Sequence, residues 1–435
     1  MFQALQHRNF RLLWVGLLIS FSGSYMQTAA ILWHVSLLVP DEQRALALGM
    51  VGLVRVVPIV VFSLISGVAA DALDRRKLML ATQTTMAVLA AILSGVTWHG
   101  LTSVWPIYLL AAASSAAGAF DLPARHSIVP SLVPREHLPN AISLNTSMFQ
   151  VASVIGPAVG GVMIAEAGVA WVYAVNALSY LVVIAALLMM RIDDRRWGGA
   201  GTEHRTGPPR RRSDFSIAAA LEGLRFVFRS PLIRSTMLLD FFATFFSSAT
   251  ALLPIFAQDV LHVGARGYGW LYSAPAVGAV LASAVMVRAV DLIEGRGVVL
   301  IASIAIYGLA TVAFGLSTWF WLTFWCLAAT GAADTVSAVF RNLIRQLETP
   351  DGLRGRMTGV NMMFFIGGPQ LGELEAGLLA QWAGPVISVV SGGIGCLIAT
   401  AWVVAVTPGL RAYRRTAQPL VPEEDDRREA QTGQL

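Results

Sequence analysis

The sequence is poor in charge and nearly free of lysine and cysteine. Only 13% of its 435 residues are charged, 56% are hydrophobic, and the mean hydropathy is +0.64. A soluble domain of this length needs a charged surface and cannot hide so much apolar surface in one core, so that class is excluded. Cys326 and Cys396 both sit inside apolar runs. A disulfide framework is therefore excluded, and both read as small buried hydrophobes. Lys77 is the sole lysine, so arginine carries the positive charge. The arginines fall between apolar runs, as orientation determinants do, and form no patch suited to nucleic acid. The histidines are scattered without metal-ligand spacing. With no Walker loop and no nucleophile constellation, neither enzyme activity nor a cofactor nor a metal is expected. The first apolar run, about 28 residues, is too long for a signal-peptide core and has no small-residue cleavage site after it.

What the sequence does have is long hydrophobic runs. A membrane-spanning helix needs roughly 20 mostly apolar residues. Six runs fit before residue 191: Leu12–Val39, Ala45–Ala70, Leu78–Trp98, Val104–Phe120, Ala141–Ala165 and Val169–Met190. Six more follow: Leu232–Phe256, Gly267–Val290, Val298–Leu316, Trp319–Phe340, Met357–Ala380 and Val386–Thr407. The chain is expected to be an all-α membrane protein with both termini on one side. One set of loops holds Arg8, Arg11, Arg75–Lys77, Arg125, Arg135, Arg191–Arg229, Arg296, Arg345–Arg356 and Arg411–Arg415, while the other holds Arg44 and Arg266. The arginine-rich side, with the termini, is expected to be cytoplasmic in a bacterial inner membrane.

Residues 191–230 read as a cytoplasmic linker between two six-helix halves, 1–190 and 231–407, with a polar tail at 408–435. Within the linker, Phe215–Phe228 is amphipathic, with Ile217, Leu221, Leu224 and Phe228 on one face, and is expected to lie along the membrane surface. The halves echo each other. Asp71-Ala-Leu-Asp74-Arg75-Arg76 follows the second span, and Asp291-Leu-Ile-Glu294-Gly295-Arg296 follows the eighth. Leu132–Ala141 enters the fifth span as Leu347–Arg356 enters the eleventh.

Several phrases are more specific. Gly67-x-x-x-Asp71 with Asp74-Arg75-Arg76-Lys77 resembles the signature loop between helices 2 and 3 of the major facilitator superfamily. Ala72 replaces its usual basic residue, and Asp74 its usual glycine. The segments Phe120–Asn145, Glu222–Ile233 and Thr349–Val360 are similar to the branch that holds the enterobactin exporter, macrolide efflux pumps and Tap-like drug:proton antiporters. The resemblance covers nearly the whole chain. It implies two pseudo-symmetric six-helix bundles and a central cavity lined by helices 1, 4, 7 and 10.

The loop has its own physics. A carboxylate at the end of span 2 can accept from free N–H groups at the start of span 11, near Arg354–Met357. Asp71 is thereby expected to tie the halves together on the cytoplasmic side. Arg75, beside Arg76, is expected to bridge to Asp121, and Asp291 to act likewise in the mirrored half. Such a latch favours the outward-facing state; the competing reading is solvated charges that only set topology. In span 5, Gly156-Pro157-Ala158-Val159-Gly160-Gly161 matches the core of an antiporter motif, and Ala274-x-x-x-Gly278-x-x-x-Ala282 in span 8 is a ridge expected to pack against it. Generic small-residue packing is the alternative.

Charges inside spans point to function, since each costs about 3 kcal/mol at a helix centre. Asp240, Asp334 and Glu373 are candidate proton carriers, against the alternative of structural ion pairs or, for Asp334, a place near the water boundary. Arg55 and Glu373 lie at similar depths on spans 2 and 11, and a bridge between them is expected when the periplasmic side closes; Glu375 is the second choice of partner. Tyr25, Gln27, Asn145, Phe245 and Asn361 are substrate-cavity candidates, although most such aromatics simply pack. The expected activity is alternating-access export of an amphiphilic small molecule, drug-like or siderophore-like, driven by inward protons. A proton-coupled importer is the alternative, and a non-transporting sensor a remoter one. The expected partners are that substrate, protons and lipid, with a monomer as the working unit.

Overall fold

The computed structural model describes residues 3–190, 224–350 and 353–414. The linker through residue 223, the tail beyond 414 and the side chains of Gly67, Asp71 and Arg354 lie outside the described residues. With them go most of the surface helix and the Asp71 latch. Residues 224–229 are helical.

The first six helices are α1 (Arg8–Leu38), α2 (Asp41–Ala72), α3 (Arg75–Trp98), α4 (Trp105–Leu132), α5 (Leu138–Ala167) and α6 (Val169–Met189). The last six are α7 (Pro231–Phe246), α8 (Gly264–Ala289), α9 (Arg296–Leu316), α10 (Phe320–Glu348), α11 (Arg354–Ala383) and α12 (Pro385–Val406). Among the described residues no strand occurs, and eleven helices are long and apolar enough to cross a membrane. The remaining one is α11, which carries Gln370, Glu373, Glu375 and Gln381. Local signals set the ends. Asp74 accepts from the backbone N–H of Arg76 and Lys77 and so caps α3. Gly168 and Gly384, at φ +89° and +91°, make matching tight turns between α5 and α6 and between α11 and α12; a left-handed backbone there suits glycine alone.

Three expectations are corrected. The fourth span does not stop at Phe120 but continues as helix to Leu132, which puts Asp121 and Arg125 inside it. The seventh span is not one helix. It breaks at Ser247 and Ser248 and continues as a 3-10 turn, a short helix and a π turn to Val260. The tenth does not stop at Phe340 but runs eight residues further to Glu348. Asp334 therefore sits mid-helix, with a half-exposed side chain.

The face where α1 begins and α12 ends is called here the terminal face, and the opposite one the far face. Within each group of six the helices pack closely, α1 on α5 and α6, α8 on α10, α9 on α12. Between the groups the main pairings are α2 with α11 and α5 with α8. The apolar cores reveal the overall shape. One core, from Met26 through Tyr173 to Phe256, Tyr268 and Ala380, is shared by both groups at the far face. Toward the terminal face it divides in two. One part, around Leu13, Met79 and Met148, belongs to the first six helices, and the other, around Leu300, Phe340 and Ile344, to the last six. Among the described residues the apolar core is thus continuous across both groups at the far face and divided toward the terminal face.

Candidate transport site

The seal is built where backbones touch. Gly52 of α2 packs against α11 so tightly that a methyl carbon there would stand 2.8 Å from the Gln370 carbonyl oxygen and 2.9 Å from the Glu373 Cβ. Gly161 of α5 lies against Gly269 of α8, where an added carbon would stand 2.6 Å from the Gly269 Cα. Polar ties reinforce these crossings. Tyr268 donates to the Ala29 carbonyl at 2.8 Å, Gln258 donates to Ser36 at 2.8 Å, and Arg44 pairs with Asp259 at 2.8 Å. Arg266 pairs with Glu166, and Gln381 donates to the Glu42 carbonyl.

The glycine motif of α5 thus serves both partners. Gly156 and Gly160 face Tyr25 and Met26 of α1, and Gly161 faces α8. The expected α8 ridge is on the wrong side for this. Gly278 meets the Ala328 backbone of α10, so the ridge packs within its own group, and Gly269 makes the contact with α5.

Each group holds a buried charged centre. In the first, Asp121 pairs with Arg125 one turn along α4 and accepts from Thr82 at 2.8 Å and Gln83 at 3.0 Å on α3. Arg125 lies 4.1 Å over the Phe21 ring. Arg75 does not reach Asp121; it donates to the Ser127 carbonyl, because Arg125 already occupies the carboxylate. Arg76 donates to the Leu188 carbonyl. In the second group, Asp240 of α7 is held by Arg341 at 3.0 Å and Arg345 at 3.3 Å, both from α10. Arg341 also pairs with Asp334 at 3.1 Å, and Arg345 donates to Asn361. Asp334 faces a cavity lined by Ser247, Thr250, Tyr307 and Thr330.

Arg341 and Arg345, each 2% exposed, escaped the sequence reading because arginine reads as a helix boundary. Their signal was spacing. Asp334, Ser337, Arg341 and Arg345 repeat at three and four residues, which places them on one helix face.

A third charged pair sits at the seam. Glu373 of α11 is 8% exposed and lies against Gly52. Arg55, one turn along α2 toward the terminal face, is the charge that acts on it, and Tyr25 and Tyr272 share the same field. The expected Arg55–Glu373 bridge is not formed in this sealed state. The one-turn difference in depth is as expected, but the register sets Gly52, not Arg55, opposite Glu373.

The remaining candidates separate. Gln27 accepts from Asn176 at 2.7 Å, inside the first group, so it is spent on packing and does not line a path. Asn145 is half-buried on α5. Phe245 stacks with Phe241 at 5.5 Å, and Phe364 of α11 meets Phe241 edge-on, while Phe242 and Phe246 stack beside Trp402 and meet the first pair edge-on. Among the described residues no cluster of histidine, cysteine and carboxylate could hold a metal ion.

Two six-helix groups that share one apolar seal are the architecture of major facilitator transporters, and solved structures agree. A bacterial homologue of the human lysosomal transporter Spinster, inward-facing and unoccupied, superposes with a TM-score of 0.71 at 15% identity, covering 95% of this chain and 99% of that one. A POT family transporter in complex with a thioalcohol-conjugated peptide gives 0.71 at 12% identity, with 93% and 96% covered. Residues 1–423 match the model of the transmembrane secretion effectors, and the chain belongs to that family. It is therefore a multi-pass membrane transporter and not an enzyme. Among curated relatives, enterobactin exporters of Escherichia coli O1:K1 and Shigella boydii serotype 18 are 27% and 28% identical over 356 residues, 81% of either chain in each case.

Proposed function

We propose that the protein exports an amphiphilic small molecule from the cytoplasm by alternating access, in exchange for protons. The observation that carries this reading is the division of the core, shared at the far face and separate toward the terminal face. A molecule entering the cleft from the terminal side is stopped by the seal, and release beyond it requires the α2–α11 and α5–α8 crossings to part. The distribution of arginine favours a cytoplasmic terminal face. Arg125 and Arg345 are buried and drop out of the count, yet Arg8, Arg11, Arg75, Arg76, Lys77, Arg135 and Arg296 still oppose Arg44 and Arg266 alone. The structure is then inward-facing. Residues 1–190 and 231–407 are the two moving bundles, joined by the linker, and one chain is the working unit.

The aromatic cluster of Phe241, Phe245 and Phe364 suits a substrate with aromatic or apolar surface. Relatives named as enterobactin exporters favour a siderophore-like molecule, and drug-like amphiphiles share that chemistry. Asp71 acts as the latch of the opposite state, closing the terminal face against the start of α11. The deciding experiment is a metabolite-export and susceptibility screen on cells lacking or overproducing the protein. A compound retained on deletion and secreted on overproduction is the expected result. Uptake that depends on the protein, measured against efflux in inside-out vesicles, would reverse the direction.

A further inference from the structure

Glu373 stands apart from the other intramembrane acids. Asp240 and Asp121 are each held by arginine. Glu373 is equally buried, yet among the described residues neither it nor Arg55 makes an ion pair or hydrogen bond. It lies on the seam between the two groups, where Gly52 closes on it from α2. The groups around it are Arg55 of α2, Tyr25 of α1, and Tyr268 and Tyr272 of α8. On its own helix Glu375 points to a different side, about 200° round. One turn before it, the Gln370 side-chain oxygen is buried without a partner.

We propose that Glu373 is the proton-exchange group of the transport cycle, held as the neutral acid while α2 and α11 close on it and giving up its proton as they part. The proposal rests on the proton-antiport reading above. A carboxylate stripped of water with no counter-ion in contact costs several kcal/mol when ionised, so closed helices and a bound proton favour each other. On release, the O–H bond breaks, the proton passes to water in the terminal-face cleft, and the electron pair stays on the carboxylate. That charge is costly between closed helices, so water enters around it, α2 and α11 part and the far face opens. A proton taken up from the far side restores the seal. Each cycle carries one proton opposite to the exported molecule. Arg55 keeps the acid from holding its proton permanently.

The test places spin labels through Ser103→Cys and Thr318→Cys, two exposed far-face positions, one in each helix group. The background is the full chain with Cys326→Ala and Cys396→Ala, in lipid nanodiscs. Distances measured over a pH series should show the short, sealed population at low pH and a longer one growing as pH rises. Glu373→Gln should hold the sealed distance at every pH. Arg55→Gln should keep the transition but raise its midpoint by about one pH unit, since loss of the positive charge disfavours the carboxylate. A Glu373→Gln protein that titrates like its background overturns the proposal, as does a background that ignores pH. Should Glu373→Gln fail to fold, Glu373→Asp and Arg55→Gln decide it, because unmoved midpoints in both overturn it. Flux of enterobactin or ethidium under an imposed pH gradient tests the antiport reading separately. Gradient-driven flux that survives Glu373→Gln sinks this proposal alone; wild-type flux indifferent to the gradient sinks the antiport reading.

Discussion

Replacing Gly161 by alanine adds one carbon at the tightest point between α5 and α8. That carbon would stand 2.6 Å from the Gly269 Cα and 2.7 Å from the Ala265 carbonyl oxygen. Carbon atoms rest at about 3.5–4.0 Å, so the helices must separate by roughly 1 Å. Both obstacles are backbone, and no side chain can turn aside. Overpacking of this kind costs about 1–3 kcal/mol. Because the contact exists only while the far face is closed, the cost falls on that state alone and moves the equilibrium toward the open far face. The corresponding change in population is about 5–150-fold. The Ser103–Thr318 label pair reads it directly as growth of the long-distance population at fixed pH. Gly95→Ala is the control, since a Cβ there meets nothing within 4 Å. An unchanged sealed fraction in Gly161→Ala, with the control behaving like wild type, would refute the view that this crossing is a moving contact.

Arg266→Ala should shift the same distribution less than about fivefold, and less still in high salt, because Arg266 and Glu166 are 62% and 58% exposed. Asp240→Asn should lower thermal stability in detergent by an amount equivalent to about 3–5 kcal/mol, since it leaves Arg341 and Arg345 short of a counter-charge. Adding Arg345→Gln should recover part of that loss, and a double variant no more stable than the single one would argue against the clamp. Asp71→Asn should enlarge the population open at the terminal face, as read by thiol labelling of cysteines introduced along the cleft; unchanged labelling would leave Asp71 a topological charge.

Hydropathy made the helices legible because lipid imposes length and composition on every span. It failed where chemistry inside the bundle overrode that rule. Ser247 and Ser248 break α7 within a run too apolar to advertise a break. Arg341 and Arg345 read as a water boundary, yet Asp240 neutralises them across the bundle, and that partner lies too far along the chain for any local window to connect. The glycines of α5 signalled close approach, but a small residue does not name its neighbour, so the α8 ridge was assigned to the wrong helix. Depth counting set Glu373 and Arg55 within a turn of each other. Which residue stood opposite depended on rotation about the helix axis, and depth carries no information on that.

The spacing that relates Asp71 to Asp291 also relates Arg125 to Arg345 and Asp121 to Arg341. Asp121 and Arg125 stand four residues apart on α4, and Arg341 and Arg345 four apart on α10, an acid with a base in the first case and two bases in the second. On α4 acid and base are neighbours on one helix; on α10 the acid that holds both bases comes from α7, at Asp240. An acid at 341 would make the acid at 240 redundant, and a base there makes it necessary. Positions 240 and 341 are therefore expected to change together across descendants of this chain, while 121 and 125 drift or persist as a pair of their own. One helix thus carries a self-contained charge pair, while its counterpart has one more base than acid and draws its buried counter-charge from a neighbour.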